Sequence, residues 1–330
     1  MADVPLTNTY LPQGPGKVTG ERESLRDVVE MVALDTRPLY SNLTKVRATA
    51  IKVEWMTEDL GAIVAAPARN RGFVAAPQAP IANRRLDNAL ELNAVEFGVS
   101  DSMQNIPDVA GNTNTLEHQR LKWGMKLGRM INKMLHSGQV KVYTEPTVTA
   151  TFPAYVTNFK SVATTPGAPP TGDGSNLPTA GTGPKNLTTI ADINTVLLTA
   201  SLTQGTPTTI YFHPKRRAEF SQLPDANLGT FNQNQNTSGA GAWYFVGTVS
   251  GYLSDFGPLE LVVDIDCDPT VLEIRNHDYE DLAILPGMDF DEQELGRRGS
   301  GRELLIQHES GYRNLLPEAH ALINGYNTYP

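Results

Sequence analysis

The chain has 330 residues, of which 40% are hydrophobic and 19% are charged. At roughly 150 residues per domain, this length predicts about two domains, and it suffices for folding without disulfides or metals. Glycine and proline number 28 and 23, which indicates many loops but not a low-complexity chain. The composition therefore excludes a disordered tail protein and a coiled coil.

The net charge and the cysteine content exclude further classes. The formal net charge is −9, whereas a protein that coats nucleic acid over its whole surface would be basic. Cys267 is the single cysteine, which excludes a disulfide framework and a cysteine-rich zinc module. We see no secretory signal and no run near the roughly 18 apolar residues of a membrane-spanning helix. These features predict a soluble protein of a reducing compartment.

The charge is distributed unevenly along the chain. Residues 1–150 carry 17 basic and 16 acidic side chains, and residues 151–254 carry 5 and 4. Residues 255–330 carry 5 basic and 16 acidic side chains, and 13 of those acids lie between Asp255 and Glu294. Such a segment favours either a solvated acidic face or complementary contacts within or between copies of the chain.

The first third of the chain predicts an extended arm and then a long hairpin. Residues 1–20 have little periodicity, and Ser24 is placed to cap a short helix that ends near Leu34. Two strand-like runs, at about 46–60 and 89–102, flank a stretch rich in alanine and proline. Such a hairpin has too little apolar surface to be stable alone, so we expect it to lie on another surface. The stretch carries four arginines, which are Arg69, Arg71, Arg84 and Arg85.

Residues 112–138 are predicted to form the clearest helix, because capping residues and Gly138 bound a long stretch without proline. At about 100° per residue, its apolar side chains form one broad face. That face comprises Leu116, Trp123, Leu127, Met130, Ile131 and Met134. A narrow basic stripe lies away from most of that face and consists of Lys122, Lys126, Arg129 and Lys133. A helix of roughly 40 Å is long for a globular enzyme and natural for a scaffold.

The rest of the chain mixes strands, helices and loops. Helices are predicted near 190–202 and 214–223, and loops at 166–184 and 227–241. Strands are predicted at about 140–160, 208–212, 243–253, 258–266, 270–275 and 303–309. This mixed order favours an α+β fold over a doubly wound sheet.

The motifs of common enzymes are absent or incomplete. The stretch from Gly14 to Lys17 lacks the spacing of a phosphate-binding loop and follows no predicted strand. The six histidines have no metal-ligand spacing, and His118 and His136 are too far apart to share a helical site. No Gly-x-Ser-x-Gly elbow occurs. We therefore predict no catalytic residue, no metal and no cofactor.

The acidic stretch Asp264–Asp268 also fails as a calcium loop. Pro269 and Arg275 stand where such a loop requires Gly and a bidentate Glu. A strand with its acids on one face and with Ile265 and Cys267 on the other explains the pattern better. Cys267 is then a small buried residue rather than a nucleophile.

Several stretches carry a resemblance to a known family, namely residues 34–39, 50–60, 253–263, 278–285 and 309–325. Together with the order of arm, long hairpin, spine helix and α/β insertion, they resemble the major capsid proteins of tailed phages with the Hong Kong 97-type fold. A major head protein family of some short-tailed phages is the most similar. The resemblance implies a non-catalytic structural protein that self-assembles into the icosahedral head around double-stranded DNA. Fold alone is weak evidence of function, but this fold is largely dedicated to shells.

The resemblance also implies a division of the chain. Residues 1–45 would form the N-terminal arm and short helix, and residues 46–105 the extended loop. Residues 106–150 and 262–330 would form the peripheral domain, which contains the spine helix. Residues 151–261 would form the axial domain.

The implied partners are copies of the same chain in hexamers and pentamers, a portal protein and, through non-specific contact, the packaged DNA. The short arm implies a separate scaffolding protein. Residues 62–85 contain no lysine, which excludes there the lysine–asparagine weld of some relatives and leaves non-covalent overlap or a decoration protein to stabilise the shell. We expect assembly in the host bacterial cytoplasm, a final location in the virion, and no membrane partner.

Two sets of residues are candidate contacts. The arginines at 69, 71, 84 and 85 would meet the acids of 278–294 in a neighbouring subunit, or they are solvated. The stripe of Lys122, Lys126, Arg129 and Lys133 would face DNA phosphates without sequence preference, or it pairs with acids of the protein. Alternative functions are a cellular nanocompartment shell of the same fold and an α+β enzyme, against which the missing motifs argue.

Overall fold

The computed structural model describes residues 37–58, 71, 81, 83–105, 115–185, 188–203, 205–221, 228–229, 251–297 and 299–327. The helices within these ranges are α1 (Pro38–Asn42), α2 (Asp101–Asn105), α3 (Thr115–His136), α4 (Phe152–Tyr155), α5 (Ile190–Leu202) and α6 (Arg217–Ser221). The strands are β1 (Thr44–Arg47), β2 (Lys52–Thr57), β3 (Arg84–Ala89), β4 (Glu91–Ser100), β5 (Asn158–Ser161), β6 (Thr209–Phe212), β7 (Leu228–Gly229), β8 (Gly251–Ser254), β9 (Gly257–Val263), β10 (Leu272–Arg275), β11 (Glu280–Ile284), β12 (Asp291–Leu295), β13 (Gly301–Asn314) and β14 (Ala321–Asn324).

The long strand β13 organises a five-stranded sheet. It pairs antiparallel with β4 over ten residues and also pairs antiparallel with β11 and β12. β1 adds a parallel strand beside β11. Leu304 and Ile306 of β13 are buried while the residues between and beside them are partly exposed, as expected for a sheet with one face on the core. β13 is longer than the strand predicted at 303–309.

A seven-stranded sheet has the order β5-β14-β10-β6-β9-β8-β7. Its β5–β14 and β6–β9 pairs are parallel, whereas its other pairs are antiparallel. One hydrophobic cluster joins Ile193 and Val196 of α5 to Ile210 and Phe212 of β6. Side chains on the other face of the seven-stranded sheet, such as Tyr211, belong to a second hydrophobic cluster. This cluster also contains residues of the five-stranded sheet and of α3. The two sheets therefore share a common core, as expected for α+β packing.

The predicted spine helix is present as α3, and residues 111–114 lie outside the described residues. Leu127, Ile131 and Leu135 are fully buried, so the buried apolar stripe is rotated toward Leu135 relative to the face that the sequence analysis assigned. Met130 was placed on that face wrongly, since 43% of it is exposed. Because each residue turns the helix by about 100°, Met130 points well away from Ile131.

The stem of the extended loop is a hairpin of β2 and β3, with pairs from Lys52↔Ala89 to Thr57↔Arg84. The run 89–102, expected to be the second hairpin strand, forms β4 and pairs with β13 instead. The chain changes sheets at Leu90, which is fully buried and donates its N–H to the Ile51 carbonyl at 2.8 Å. β3 and β4 are therefore adjacent in sequence but belong to different sheets, and the sequence analysis did not predict β3 as a strand.

Two further predictions were wrong. Strands expected across 140–160 are reduced to a single bridge between Val142 and Val148, followed by α4 and β5. The stretch Asp264–Asp268 is a turn after β9 and not a strand, because the Asp264 carboxylate accepts the N–H of Asp266 at 2.9 Å and reverses the chain. Asp264 is buried there, while 52% of Ile265 is exposed.

Other predicted elements match the structure. α5, β6 and α6 occupy the predicted α/β unit, and β8, β9 and β10 fall within or beside predicted strands. The helix expected after Ser24 and all but residues 228–229 of the loop at 227–241 lie outside the described residues. β10 and β14 belong to the seven-stranded sheet, although the sequence analysis assigned 262–330 to the other domain. Among the described helices, none combines the length and apolar character needed to cross a bilayer.

Gly311 provides a test of the corner between β3 and β4. A Cβ on Gly311 would lie 2.9 Å from the carbonyl oxygen of Ala89 and 2.7 Å from Leu90 Cδ2, whereas one on Gly124 of α3 would meet no atom within 4 Å. We expect Gly311→Ala to lower the free energy of unfolding in urea by about 1–3 kcal/mol. Gly124→Ala, the control, should raise it by about 0.5–1 kcal/mol. Equal effects would contradict the close approach of β13 to this corner.

Candidate interaction surfaces and a buried charge network

The extended-loop stem is attached to the body of its own subunit by hydrogen bonds from aromatic side chains. Trp55 Nε1 of β2 donates to the Asn314 carbonyl of β13 at 2.7 Å. The Tyr155 hydroxyl donates to the Asp87 carbonyl of β3 at 2.7 Å. Both aromatic side chains are buried, so these two hydrogen bonds fix the stem to the body of its own subunit.

Three donors, two ammonium groups and one hydroxyl group, surround the carboxylate of Asp87 on the stem. Its carboxylate accepts from Lys141 Nζ at 2.7 Å and from the Tyr143 hydroxyl at 2.5 Å, and Lys52 Nζ lies 2.9 Å away. Partial burial raises the pKa of Asp87, but these donors outweigh burial and hold that pKa well below its ordinary value. The cluster is therefore charged at neutral pH and holds β3 against the segment that follows α3.

The four candidate arginines do not share one environment. Arg84 lies in β3 and pairs with Glu318 at 3.0 Å within the same chain. Arg85 pairs with Glu54 across the stem. Arg71 is exposed in a turn, and Arg69 lies outside the described residues. Within the described chain, no ion pair joins Arg84 or Arg85 to the acids of 278–294.

The acids of segment 278–294 also differ in whether they form ion pairs within the chain. Glu280 and Asp281 are buried and pair with Arg275 at 2.9 Å and Arg313 at 2.6 Å. Glu292 pairs with Arg120 of α3 at 2.5 Å, and Asp289 lies 3.2 Å from His308. Two exposed acids, Asp278 and Glu294, have no ion pair with any described residue. These two are the acids of the segment that a partner can reach without breaking an internal pair.

The basic stripe of α3 is similarly partitioned. Arg129 pairs with Asp266 of the turn after β9 at 3.2 Å. Lys126 is exposed, and its ammonium lies 4.2 Å from the ring centroid of Trp123, a distance typical of a cation–π contact. Lys133 is exposed and Lys122 is half-buried, and neither forms an ion pair with a described residue. Three of the four side chains thus keep a charge that the described chain does not neutralise.

A buried charge network joins the two sheets, and the sequence analysis did not detect it. The guanidinium of Arg275, at the end of β10, contacts Glu273 at 2.8 Å and Glu280 of β11 at 2.9 Å, and all three side chains are inaccessible to solvent. It also lies 3.9 Å from the ring centroid of Phe152 and donates to the Leu135 carbonyl of α3. Burial alone would raise the pKa of Glu280, yet the charge of Arg275 holds it well below its ordinary value.

The network continues through the last turn of α3. His136 Nδ1 lies 2.8 Å from Glu273, and its Nε2 lies 3.0 Å from Asp264. Asn132, one turn earlier, donates to Asp264 at 2.8 Å. Burial lowers the pKa of His136, but the charge of Glu273 and the hydrogen bond of Asp264 raise it well above 6.5. No sequence signal pointed to His136, because its partners lie about 130 residues away.

His136, Cys267 and Glu273 lie close enough to be considered as a metal site. Their donor atoms are already occupied, since Glu273 Oε2 accepts from both His136 and Arg275 while the other imidazole nitrogen faces Asp264. The adjacent Arg275 cation repels a metal ion. Burial raises the pKa of the Cys267 thiol to about 11, which disfavours the thiolate that binds metals. The residues therefore fit a hydrogen-bonded network and not a metal centre.

A cavity lies between the end of α5 and the turn that joins β8 to β9. It is lined by Leu197, Ser201, residues 205–208, Ser254 and residues 256–259. These lining residues include no histidine, cysteine or charged side chain. The cavity thus offers none of the groups that a general acid, base or activated nucleophile requires.

The match to a family model decides the identity of the chain. The model of the SU10 major capsid protein matches residues 7–327. The chain belongs to the SU10 major capsid protein family. It is thus the structural subunit of a tailed-phage head, and it assembles with copies of itself into the capsid of a virion.

Solved structures show that this capsid protein has the Hong Kong 97-type fold. The capsid of cyanophage A-1(L) matches with a TM-score of 0.63 at 11% identity, over 93% of this chain and 98% of that one. The Mycobacterium phage Adephagia structure matches at 0.57 and 11% identity over 94% and 96%. The SrpI encapsulin of Synechococcus elongatus PCC 7942 matches at 0.55 and 10% identity over 92% and 95%. No curated protein matches the chain.

Arg275 allows a direct test of the network. We expect Arg275→Met to lower the free energy of unfolding by about 3–5 kcal/mol, because the change leaves the carboxylates of Glu273 and Glu280 buried without their cation. Arg129→Met is the control, since its pair with Asp266 is partly exposed and is worth about 0–1 kcal/mol. Chemical denaturation of both purified subunits measures the difference. A loss below that of Arg129→Met would show that Arg275 does not hold the sheets together.

Proposed function

We propose that the capsid protein forms hexamers and pentamers that close around packaged double-stranded DNA, with a separate scaffolding protein, a portal and a decoration protein as partners. Assembly would take place in the host bacterial cytoplasm, and the subunit itself would have no catalytic activity. The five-stranded sheet with α3 would correspond to the peripheral domain, and the seven-stranded sheet to the axial domain. The observation that supports this arrangement best is the stem of β2 and β3, which is attached to its own subunit through Trp55 and Tyr155.

We further propose that the loop arginines bind exposed acids of a neighbouring subunit. Arg84 and Arg85 already have partners in their own chain, so Arg69 and Arg71 are assigned the intersubunit contact while Arg84 and Arg85 support the stem. Asp278 and Glu294 are the acceptors in the neighbour, because they are exposed and have no ion pair among described residues. Opposite charges at such a rim guide register and association rate more than affinity.

Charge reversal separates these two roles. The double variant Arg69→Glu, Arg71→Glu should fold with the wild-type melting temperature but yield few closed shells, as measured by sedimentation and negative-stain microscopy. Adding Asp278→Lys and Glu294→Lys should restore shells, because the two reversals exchange signs across the interface.

The matched control for this experiment adds Glu96→Lys and Glu260→Lys, two exposed acids on β4 and β9, to the arginine double variant. Rescue by this pair as efficient as rescue by the lysines at 278 and 294 would mean that net charge, and not this contact, governs assembly. Normal shells from the arginine double variant would remove the proposed contact altogether.

We also propose that Lys122, Lys126 and Lys133 contact phosphates of the packaged DNA. These three side chains are spaced along one helix and have no ion pair with a described acid, whereas Arg129 is neutralised by Asp266. A phosphate contact requires only positive charge at the right spacing and carries no sequence information.

Salt dependence tests the lysine contact. Replacing the three lysines by glutamine should reduce the slope of log binding constant against log salt by about 2–3, since each phosphate contact contributes roughly 0.9. Capsomers of the full chain and a fluorescent duplex provide the measurement by anisotropy. Arg129→Gln should leave the slope unchanged. A triple variant with the wild-type slope would assign the stripe to protein contacts.

A second candidate function is a nanocompartment shell, which the match to an encapsulin favours. The two functions differ in content, because a phage head holds DNA and a nanocompartment holds protein. Particles purified from the native source and treated with nuclease distinguish them. Protected double-stranded DNA supports the phage head, and an enclosed enzyme without DNA supports the nanocompartment.

A further inference from the structure

The environment of His136 is unusual because both ring nitrogens face carboxylates. Nδ1 lies 2.8 Å from Glu273 Oε2 and Nε2 lies 3.0 Å from Asp264 Oδ2, and the histidine side chain is inaccessible to solvent. A neutral imidazole has one N–H and one lone pair. In this position, the lone pair would point at a carboxylate oxygen across a hydrogen-bond distance, which is repulsive. Only the imidazolium, with two N–H groups, satisfies both neighbours.

The charged and titratable groups around the ring come from every element that packs against it. On its own helix, Asn132 donates to Asp264 and to Asp266, and Arg129 pairs with Asp266. The turn between β9 and β10 contributes Asp264 and Cys267, β10 contributes Glu273 and Arg275, and β6 contributes Tyr211. Glu280 of β11 and Tyr312 of β13 belong to the same network through Arg275. Arg275 supplies one positive charge for the buried carboxylates of Asp264, Glu273 and Glu280. A charged His136 supplies the second.

We propose that His136 is a buried pin, positively charged at neutral pH, that joins the end of α3 to the seven-stranded sheet, and that loss of its proton at alkaline pH releases this junction. The pin adds a directed contact to the hydrophobic cluster that α3 already shares with Tyr211 and Leu322 of the seven-stranded sheet. His136 is thus a positioning residue, because its charge holds the helix and the sheet at one relative angle.

The direction of the pH effect follows from the pKa shifts. The pKa of His136 is raised above its ordinary value of 6.5 by Glu273 and Asp264 against the opposing effect of burial. A raised pKa means that the closed junction is fully stabilised below pH 6.5 and loses that stabilisation as pH rises toward the pKa of the closed state. The pKa values of Asp264 and Glu273 are lowered, so their contributions are lost only in acid. The junction is therefore most stable at mildly acidic pH, above the ordinary pKa of the two carboxylates and below pH 6.5.

Only the consequence of this inference for a shell rests on the proposed capsid function. In a shell, the angle between α3 and the seven-stranded sheet determines how neighbouring subunits meet, so release of the pin would alter shell geometry at alkaline pH. The charge state of His136 itself is a property of the single chain. It is measured without assembly, and a negative result there would leave the capsid function untouched.

Hydrogen exchange of the full, unassembled chain between pH 6.5 and 9.5 tests the pin. After correction for intrinsic exchange, opening of peptides that cover 129–136 and 264–275 should rise by about tenfold per pH unit, because the open state releases one proton. Asp264→Asn should weaken this pH dependence, since a neutral imidazole can then donate to Glu273 and accept from the new amide. His136→Gln should remove it and leave the junction open at every pH.

The matched control is His118→Gln on the same helix, which should retain the wild-type profile because no described carboxylate lies within hydrogen-bond distance of His118. A nitrogen-15 spectrum of the histidines at pH 7.5 should show one imidazolium that is absent in His136→Gln. A flat exchange profile in the wild type, or a neutral His136 in the spectrum, would overturn the proposal. So would stoichiometric Zn²⁺ binding that depends on Cys267, because it would show a metal site in place of the pin.

Discussion

The ion pairs of Arg275 are the interaction on which the arrangement of the two sheets depends. Arg275 belongs to β10 of the seven-stranded sheet, Glu280 begins β11 of the five-stranded sheet, and Glu273 connects the pair to His136 of α3. Each of these charges lies away from water, so each requires its partners in a defined place. Hydrophobic burial tolerates small sliding motions of packed elements, but a buried charge with several directed hydrogen bonds does not. The network therefore defines one relative position of the two sheets.

The two sheets together form a rigid support for the stem of β2 and β3, which lies at the edge of the subunit. The stem of β2 and β3 is attached to that body through Trp55 and Asp87, whose partners belong to β13 and to the segment after α3. Because two strands alone bury too little apolar surface to be stable, the stem depends on these contacts with the body.

The internal ion pairs also limit which charges remain for partners. Most acids of 278–294 and two of the four candidate arginines are engaged within the chain. Exposed pairs contribute little to stability, so the remaining exposed charges affect association more than folding. This division leaves exposed acids and exposed basic side chains on the same subunit, although its net charge is −9.

Local patterns were sufficient to predict α3, α5 and β6, because each depends on periodicity and on nearby capping or breaking residues. They were insufficient for the strand pairing. The run 89–102 alternates like a hairpin strand, yet Leu90 is buried at a change of sheet and β4 pairs with β13, some 200 residues later. Similarly, Asp264–Asp268 alternates like a strand, but a side-chain hydrogen bond from a backbone N–H makes it a turn.

The candidate contact residues show the same difference between what local sequence patterns predict and what depends on tertiary structure. The positions of the arginines and of the lysine stripe were evident from the sequence, because charge spacing along a chain or a helix is a local property. Which of these charges are already neutralised was not, because Arg84, Arg129 and Glu280 meet partners that are remote in sequence or in another element. The sequence by itself determined the capsid family, the spine helix and the available charges. Only the tertiary structure decided their pairing, because an ion pair depends on distance in space and on the loss of water around it.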